Sequence, residues 1–234
     1  MRQKYLISLT VFILFIASCE KKDKTERLFV EAQKLEAQII QGLNTISRCK
    51  SNYEKILLEA PDSQFAPIAC FKLGKLNEVF GHYDEAVEFY QKLLTVYPAH
   101  KLGAEALLNI AQINHFHLDQ KDAARETYKQ VIAFYPHSEE KLKALLQLGQ
   151  YCSSQEDWAD AVDYFRQIVS EYPEKSISDD VCFRVGDILQ QQLKDSTQAR
   201  EMYELLLNQF PTSPWTTYAA NRLREFNQGG TSHE

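Results

Sequence analysis

Two imidazoles and a carboxylate fall within five residues at His115, His117 and Asp119, a combination that binds metal when the side chains converge. Their spacing argues against convergence, because residues two apart on a helix point in different directions. The carboxylate pairs Glu139-Glu140 and Asp179-Asp180 are adjacent acids of the kind that start helices, not partners facing each other across a cleft. The chain has no H-E-x-x-H, no G-x-S-x-G, no C-x-x-C and no glycine-rich phosphate loop. These residues therefore imply no enzyme, no metal and no cofactor. A net charge of −6 without a basic stripe implies no nucleic-acid partner.

The elements that carry these residues are set by a repeat. The segments YEKILLEAP, YQKLLTVYP, YKQVIAFYP, FRQIVSEYP and YELLLNQFP end at Pro61, Pro98, Pro136, Pro173 and Pro211, spaced alternately by 37 and 38 residues. Each is apolar at positions i, i+3 and i+4, usually also at i+7, and the proline closes the helix. Ala86, Ala124, Ala161 and Ala199 recur twelve residues before their prolines, and Gly74, Ala111, Gly149 and Gly186 recur further upstream. Small residues at fixed offsets let two helices approach closely. A unit of this size cannot bury its own apolar face, so the units must stack.

A small residue on a first helix, an alanine and an aromatic on a second, and a closing proline resemble the tetratricopeptide repeat (TPR) family. The resemblance covers residues 62–226 well and residues 27–61 poorly, where Cys49 replaces the alanine and a break falls around Gly42 to Asn44. The family's first-helix tryptophan is replaced by Cys70, Leu107, Leu145 and Cys182. The resemblance implies an all-α, TPR-type right-handed solenoid of about five helical hairpins, with units ending near residues 61, 98, 136, 173 and 211 and a cap helix over 214–226. Ser138, Ser178 and Ser213-Pro214 are expected to start helices.

At the amino terminus, Arg2 and Lys4 precede an apolar run from Tyr5 to Ile16, followed by Ile16-Ala17-Ser18-Cys19. A run of about a dozen apolar residues is shorter than the ~20 that a membrane span needs. The pattern resembles a bacterial lipoprotein signal peptide with its lipobox. It implies a signal over 1–18, acylation of Cys19, and stable anchoring through more than one acyl chain. Residues 19–26, rich in charge, are expected to form a solvated tether, and residues 227–234, with Gly229-Gly230, a flexible tail. Glu20 after the cysteine, in place of the inner-membrane retention aspartate, implies the outer membrane, facing the periplasm.

With Cys19 acylated, Cys49, Cys70, Cys152 and Cys182 remain, an even number that permits two disulfides in an oxidising compartment. Cys70 and Cys182 hold the same register three units apart, so buried, unpaired residues are the expectation, with Cys49 and Cys70 the least implausible pair.

The resemblance also implies a groove lined by first helices. Its apolar ladder is Phe71, Leu108, Leu146 and Phe183, and its polar ladder Lys75, Gln112, Gln150 and Asp187. In an alternative reading some of these apolar residues belong to the core. An adaptor for envelope proteins or peptides follows. The order of lipobox, tether and units is similar to the BamD-type lipoproteins of the β-barrel assembly machine, although Pro61 is followed by Asp62-Ser63-Gln64-Phe65 instead of that family's aromatic-proline-phenylalanine-glycine motif. A Tol-Pal or peptidoglycan-associated TPR protein or a secretion pilotin is the alternative, and a cell-wall enzyme a remote one.

Overall fold

A computed structural model describes residues 21–38 and 43–229. They form α1 (21–36), α2 (Leu43–Glu59), α3 (Ala66–Val79), α4 (Tyr83–Val96), α5 (Gly103–Phe116), α6 (Lys121–Phe134), α7 (Glu139–Ser154), α8 (Trp158–Glu171), α9 (Ser178–Gln191), α10 (Ser196–Gln209) and α11 (Thr216–Gly229). No strand occurs among the described residues. The helices group into an N-terminal compact unit up to Ala124 and a C-terminal one from Arg125.

Each of α4, α6, α8 and α10 stops two residues before its proline, because the ring disfavours helical backbone in the residue before it. Each of the four first-to-second-helix turns from α3 onward contains one left-handed residue at the same distance before that proline: Gly81 (φ 76°), Asp119 (51°), Glu156 (63°) and Lys194 (56°). The alternation of 37 and 38 residues is settled here. In the shorter units the turn closes with His82 N–H on the Asn77 carbonyl (2.8 Å) and Asp157 N–H on that of Cys152 (2.9 Å). In the longer ones Gln120 reaches Asn114 (2.7 Å) and Asp195 reaches Leu189 (2.9 Å), one residue further back.

Packing follows two helix types. The second helix α4 is amphipathic and buries only Ala86, Tyr90 and Leu93, whereas α3 buries nine of its residues because neighbours cover it on several sides. In the N-terminal unit α3 joins two clusters. One combines Phe29, Ala32, Tyr53, Ile56 and Leu73; the other combines Cys70, Phe71, Tyr90, Ile110 and Ile113. The C-terminal unit has a single cluster running from Leu145 on α7 to Ala219 on α11. A Cβ at Gly74, Gly149 or Gly186 would lie 2.5, 2.4 and 2.6 Å from the rings of Tyr90, Phe165 and Tyr203, so only glycine admits the aromatic of the paired helix. Ala86, Ala161 and Ala199 are fully buried at their expected second-helix positions.

Two local expectations change. Residues 21–26, expected within the tether, are helical, because Thr25, Phe29, Ala32 and Leu35 bury one face of α1 against α2 and α3 despite the surrounding charge. Residues 227–229, expected in the tail, continue α11, where Arg200 Nη1 donates to Asn227 Oδ1 at 3.0 Å. Ser138 and Ser178 do start α7 and α9, with Glu139-Glu140 and Asp179-Asp180 in the first turns, although neither hydroxyl caps its helix and that of Ser178 donates to the Tyr172 carbonyl at 2.5 Å. The side-chain cap instead comes from Asp195, whose Oδ1 accepts the Gln198 N–H at 2.9 Å and whose carboxyl is held below its ordinary range by that bond. The signal over 1–18, Cys19 and residues 230–234 lie outside the described residues.

Candidate peptide-binding surface

The first helices present the expected groove positions one turn apart, and the two units treat them differently. In the N-terminal unit Phe71 is 7% exposed with its ring 5.5 Å from that of Tyr90, and Leu108 is 2% exposed. Both belong to the packing, because α3 and α5 are enclosed on several sides. Beside them Lys75 is half-buried, its Nζ donating to Glu78 Oε2 (3.3 Å) and Asn109 Oδ1 (3.4 Å), and Gln112 is half-buried.

In the C-terminal unit Leu146 and Phe183 are half-buried and Gln150 is exposed. The Phe183 ring stacks on Trp215 (4.8 Å, 12°) and meets Tyr218 edge-on (6.2 Å), both delivered by the start of α11. Asp187 pairs with Arg222 of the same helix at 3.1 Å. The chain's own last helix therefore covers the groove positions of the last hairpin. Of the polar positions Gln150 is exposed, while Lys75 and Gln112 are half-buried.

The sequence reading missed two tyrosine–carboxylate–lysine sets in the N-terminal unit. Tyr90 donates its hydroxyl to Glu78 Oε2 at 2.8 Å, where Lys75 also converges. Tyr53 donates to Glu36 Oε2 at 2.9 Å, and Lys72 Nζ reaches Glu36 Oε1 at 2.7 Å. Burial first, and the adjacent carboxylate second, push both phenols well above their ordinary range. They are fixed donors, not proton shuttles. Each carboxylate keeps acceptor capacity and each ammonium keeps protons beyond those used, which suits hydrogen bonding to a peptide backbone or polar side chain. A tyrosine eight residues before a proline was visible in the repeat; its acidic partner on the other helix had no fixed spacing to reveal it.

The remaining chemical candidates are structural. Cys49, Cys70, Cys152 and Cys182 are free and buried, as expected. Three donate to backbone carbonyls across a helix pair: Cys49 to Ala32 (3.3 Å), Cys70 to Phe89 (3.1 Å) and Cys182 to Met202 (3.4 Å). Burial pushes these thiols up to about 11, 11 and 12, so none is a nucleophile at neutral pH. His115 stacks on Phe116 (4.3 Å) and His117 on Tyr83 (4.0 Å), so the two imidazoles are committed to different rings. Burial lowers the His115 pKa, with Lys121 adding to the effect. Among the described residues no group of His, Cys, Asp and Glu is placed to hold a metal, and no helix is long and apolar enough to cross a membrane. An open cavity of about 660 Å³ lies between α8 and α10, where Arg166 Nη2 donates to Gln198 Oε1 at 2.6 Å beside Val169, Met202 and Leu205.

Comparison with solved structures gives the same architecture. A MamA protein is 19% identical, with a TM-score of 0.56 over 80% of this chain and 92% of that one. A tetratricopeptide repeat protein from Parabacteroides merdae is 13% identical, with a TM-score of 0.58 over 87% and 72%. YrrB, described as a TPR protein with an unusual peptide-binding site, is 16% identical, with a TM-score of 0.54 over 88% and 97%. At these identities the likeness is one of fold. None of the curated proteins searched matches the sequence. The tetratricopeptide repeat profile matches residues 69–100, 105–138, 143–175 and 181–213, the units that α3 to α10 form, and so covers more than half of the chain. The protein belongs to the tetratricopeptide repeat family, an all-α family of protein-interaction scaffolds.

Proposed function

We propose that this chain is a lipid-anchored adaptor of the bacterial envelope, acylated at Cys19, held on the outer membrane facing the periplasm, and binding an extended segment of another envelope protein. The observation that carries the binding reading is the pair Lys75 and Gln112 in the N-terminal unit, half-buried hydrogen-bonding side chains on first helices whose apolar neighbours Phe71 and Leu108 are used internally. Such a surface recognises backbone and polar groups, with little buried apolar anchoring. The anchor rests on the lipobox pattern alone. Within this reading the β-barrel assembly role follows from the order of parts.

A second reading, a Tol-Pal or peptidoglycan-associated adaptor or a secretion pilotin, draws on one observation. Phe65, in the turn where the BamD-type motif would fall, stacks on Phe29 at 4.7 Å and so serves the first hairpin's packing. Photo-crosslinking in cells from Gln112 and Gln150, with Glu88 and Glu204 on second helices as controls, tests the adaptor reading. Adducts at the first pair that contain a barrel-assembly component support the first role; a peptidoglycan-bound or Tol-Pal component supports the second. Adducts only at the controls overturn the groove reading.

A further inference from the structure

The start of α1 is built into the protein. Thr25 is 5% exposed, the Phe29 ring meets Phe65 at 4.7 Å and Tyr53 at 6.1 Å, and Lys24 Nζ pairs with Glu59 Oε2 at 2.7 Å. A segment fixed by a ring stack and a helix face does not act as a leash. Two peptide steps separate Cys19 from Lys21, a reach of about 7 Å at full extension. At this end of the hairpin, Lys21, Lys22 and Thr25 share an open cavity of about 400 Å³ with Asp62, Ser63 and Gln64 of the α2–α3 turn.

We propose that this end of the first hairpin, Lys21 and Lys22 together with the α2–α3 turn, is a membrane-contact surface that lies against phospholipid headgroups. The inference rests on acylation of Cys19, proposed above, and adds to it where the protein touches the bilayer. A lipid held within about 7 Å of Lys21 leaves the exposed ammonium groups of Lys21 and Lys22 at headgroup depth, where anionic phosphates attract them. Exposed Gln64 adds a hydrogen-bonding side chain at the same level. The other end of the hairpins is remote from the lipid. The 14 residues of α3 carry the chain roughly 21 Å, from the α2–α3 turn to the turn holding exposed His82.

The test uses the full chain purified from membranes, its Cys19 acylation verified by mass, in vesicles of phosphatidylethanolamine and phosphatidylglycerol containing headgroup spin-labelled lipid. A fluorophore goes on Gln64→Cys or on His82→Cys; the native thiols are buried and protonated, so each variant labels at one site. Quenching should be several-fold stronger at position 64 than at 82. A twelve-residue Gly/Ser insertion between Glu20 and Lys21 should abolish most of that difference. Equal quenching at both sites on an acylated chain, or no response to the insertion, overturns the contact surface alone. A chain that mass analysis shows unacylated at Cys19 overturns the anchor and this inference together.

Discussion

The two compact units use the same hairpin to different ends. In the N-terminal unit the aromatic that fills each first-helix gap carries a hydroxyl at Tyr53 and Tyr90; the hydroxyl takes a carboxylate from the first helix, and the carboxylate takes a lysine. In the C-terminal unit Phe165 has no hydroxyl, and Ser153 turns back to its own helix, donating to the Gly149 carbonyl at 2.8 Å. Tyr203 finds a neutral partner in Gln190 at 2.9 Å. Charge is drawn onto the first-helix surface where a tyrosine hydroxyl meets an acid, as at Glu36 and Glu78, and not where it meets an amide, as at Gln190. The N-terminal unit leaves Leu58, Val79 and Phe116 82%, 72% and 57% exposed at helix ends; the C-terminal unit leaves Phe134 and Tyr218 68% and 59% exposed but lays Trp215 over Phe183. What the last helix closes in the second unit is the pair of positions Phe183 and Asp187.

The largest expected effect breaks that comparison at its aromatic ladder. Phe71→Ala should cost about 3–5 kcal/mol, the range for truncating an enclosed phenylalanine. Phe183→Ala should cost less, because the ring is half-buried and meets Trp215 and Tyr218 on a surface helix. Urea denaturation followed by circular dichroism measures both. Equal losses would mean that α11 encloses Phe183 as fully as the core encloses Phe71.

Next come the glycines beneath the rings. Gly74→Ala and Gly149→Ala each drive a methyl to within 2.5 and 2.4 Å of a ring carbon, an overpacking that costs about 1–3 kcal/mol. Gly74→Ala should cost more, although its clash is no closer. The Tyr90 ring is pinned by its bond to Glu78, while the Phe165 ring is free to slide. The reverse order in melting midpoints would show that the hydroxyl does not hold the ring in place.

Alkaline pH gives a graded effect. A buried thiol with a folded pKa above the ordinary 9.0 holds its proton more tightly in the folded chain. The stability it adds is whole below about pH 9 and is lost as pH rises towards the folded value. For Cys49 and Cys70 that window closes at about 11, and for Cys182 at about 12. Each thiol removes roughly 1.4 kcal/mol per pH unit inside its window. Cys70→Ala should flatten the fall in stability between pH 9 and 11, and an unchanged slope would mean that the thiol is solvated.

What was legible in the sequence divides along the same physical line. The prolines ended α4, α6, α8 and α10 in their expected places because the restriction they impose is local. The small residues were legible because a ring admits nothing larger. The start of α1, residues 21–26, was hidden, since Lys21, Lys22, Asp23, Lys24 and Glu26 dominate its composition and its inward face opens with a threonine. Which first-helix residues face outward was not legible. A first helix enclosed on several sides is apolar nearly all round, so the spacing of Phe71 and Leu108 carries no information about which side faces a ligand.

The smallest effect sits in the turns. All four first-to-second-helix turns from α3 onward need a left-handed residue, and the N-terminal unit supplies Gly81 and Asp119, types that adopt this conformation with little penalty. The C-terminal unit supplies Glu156 and Lys194, whose Cβ crowds the following carbonyl at a cost of about 1 kcal/mol each. Glu156→Gly and Lys194→Gly should therefore each stabilise the protein by something under 1 kcal/mol, once the greater freedom of glycine in the unfolded chain is set against the relief. Asp119→Gly should gain less, and Gly81→Ala should lose about 1 kcal/mol. Denaturation midpoints of the four variants test the ranking. If glycine at 156 and 194 brings no gain while Gly81→Ala is costly, the long side chains must be making turn contacts that offset their strain, and the C-terminal turns would be no more strained than the N-terminal ones.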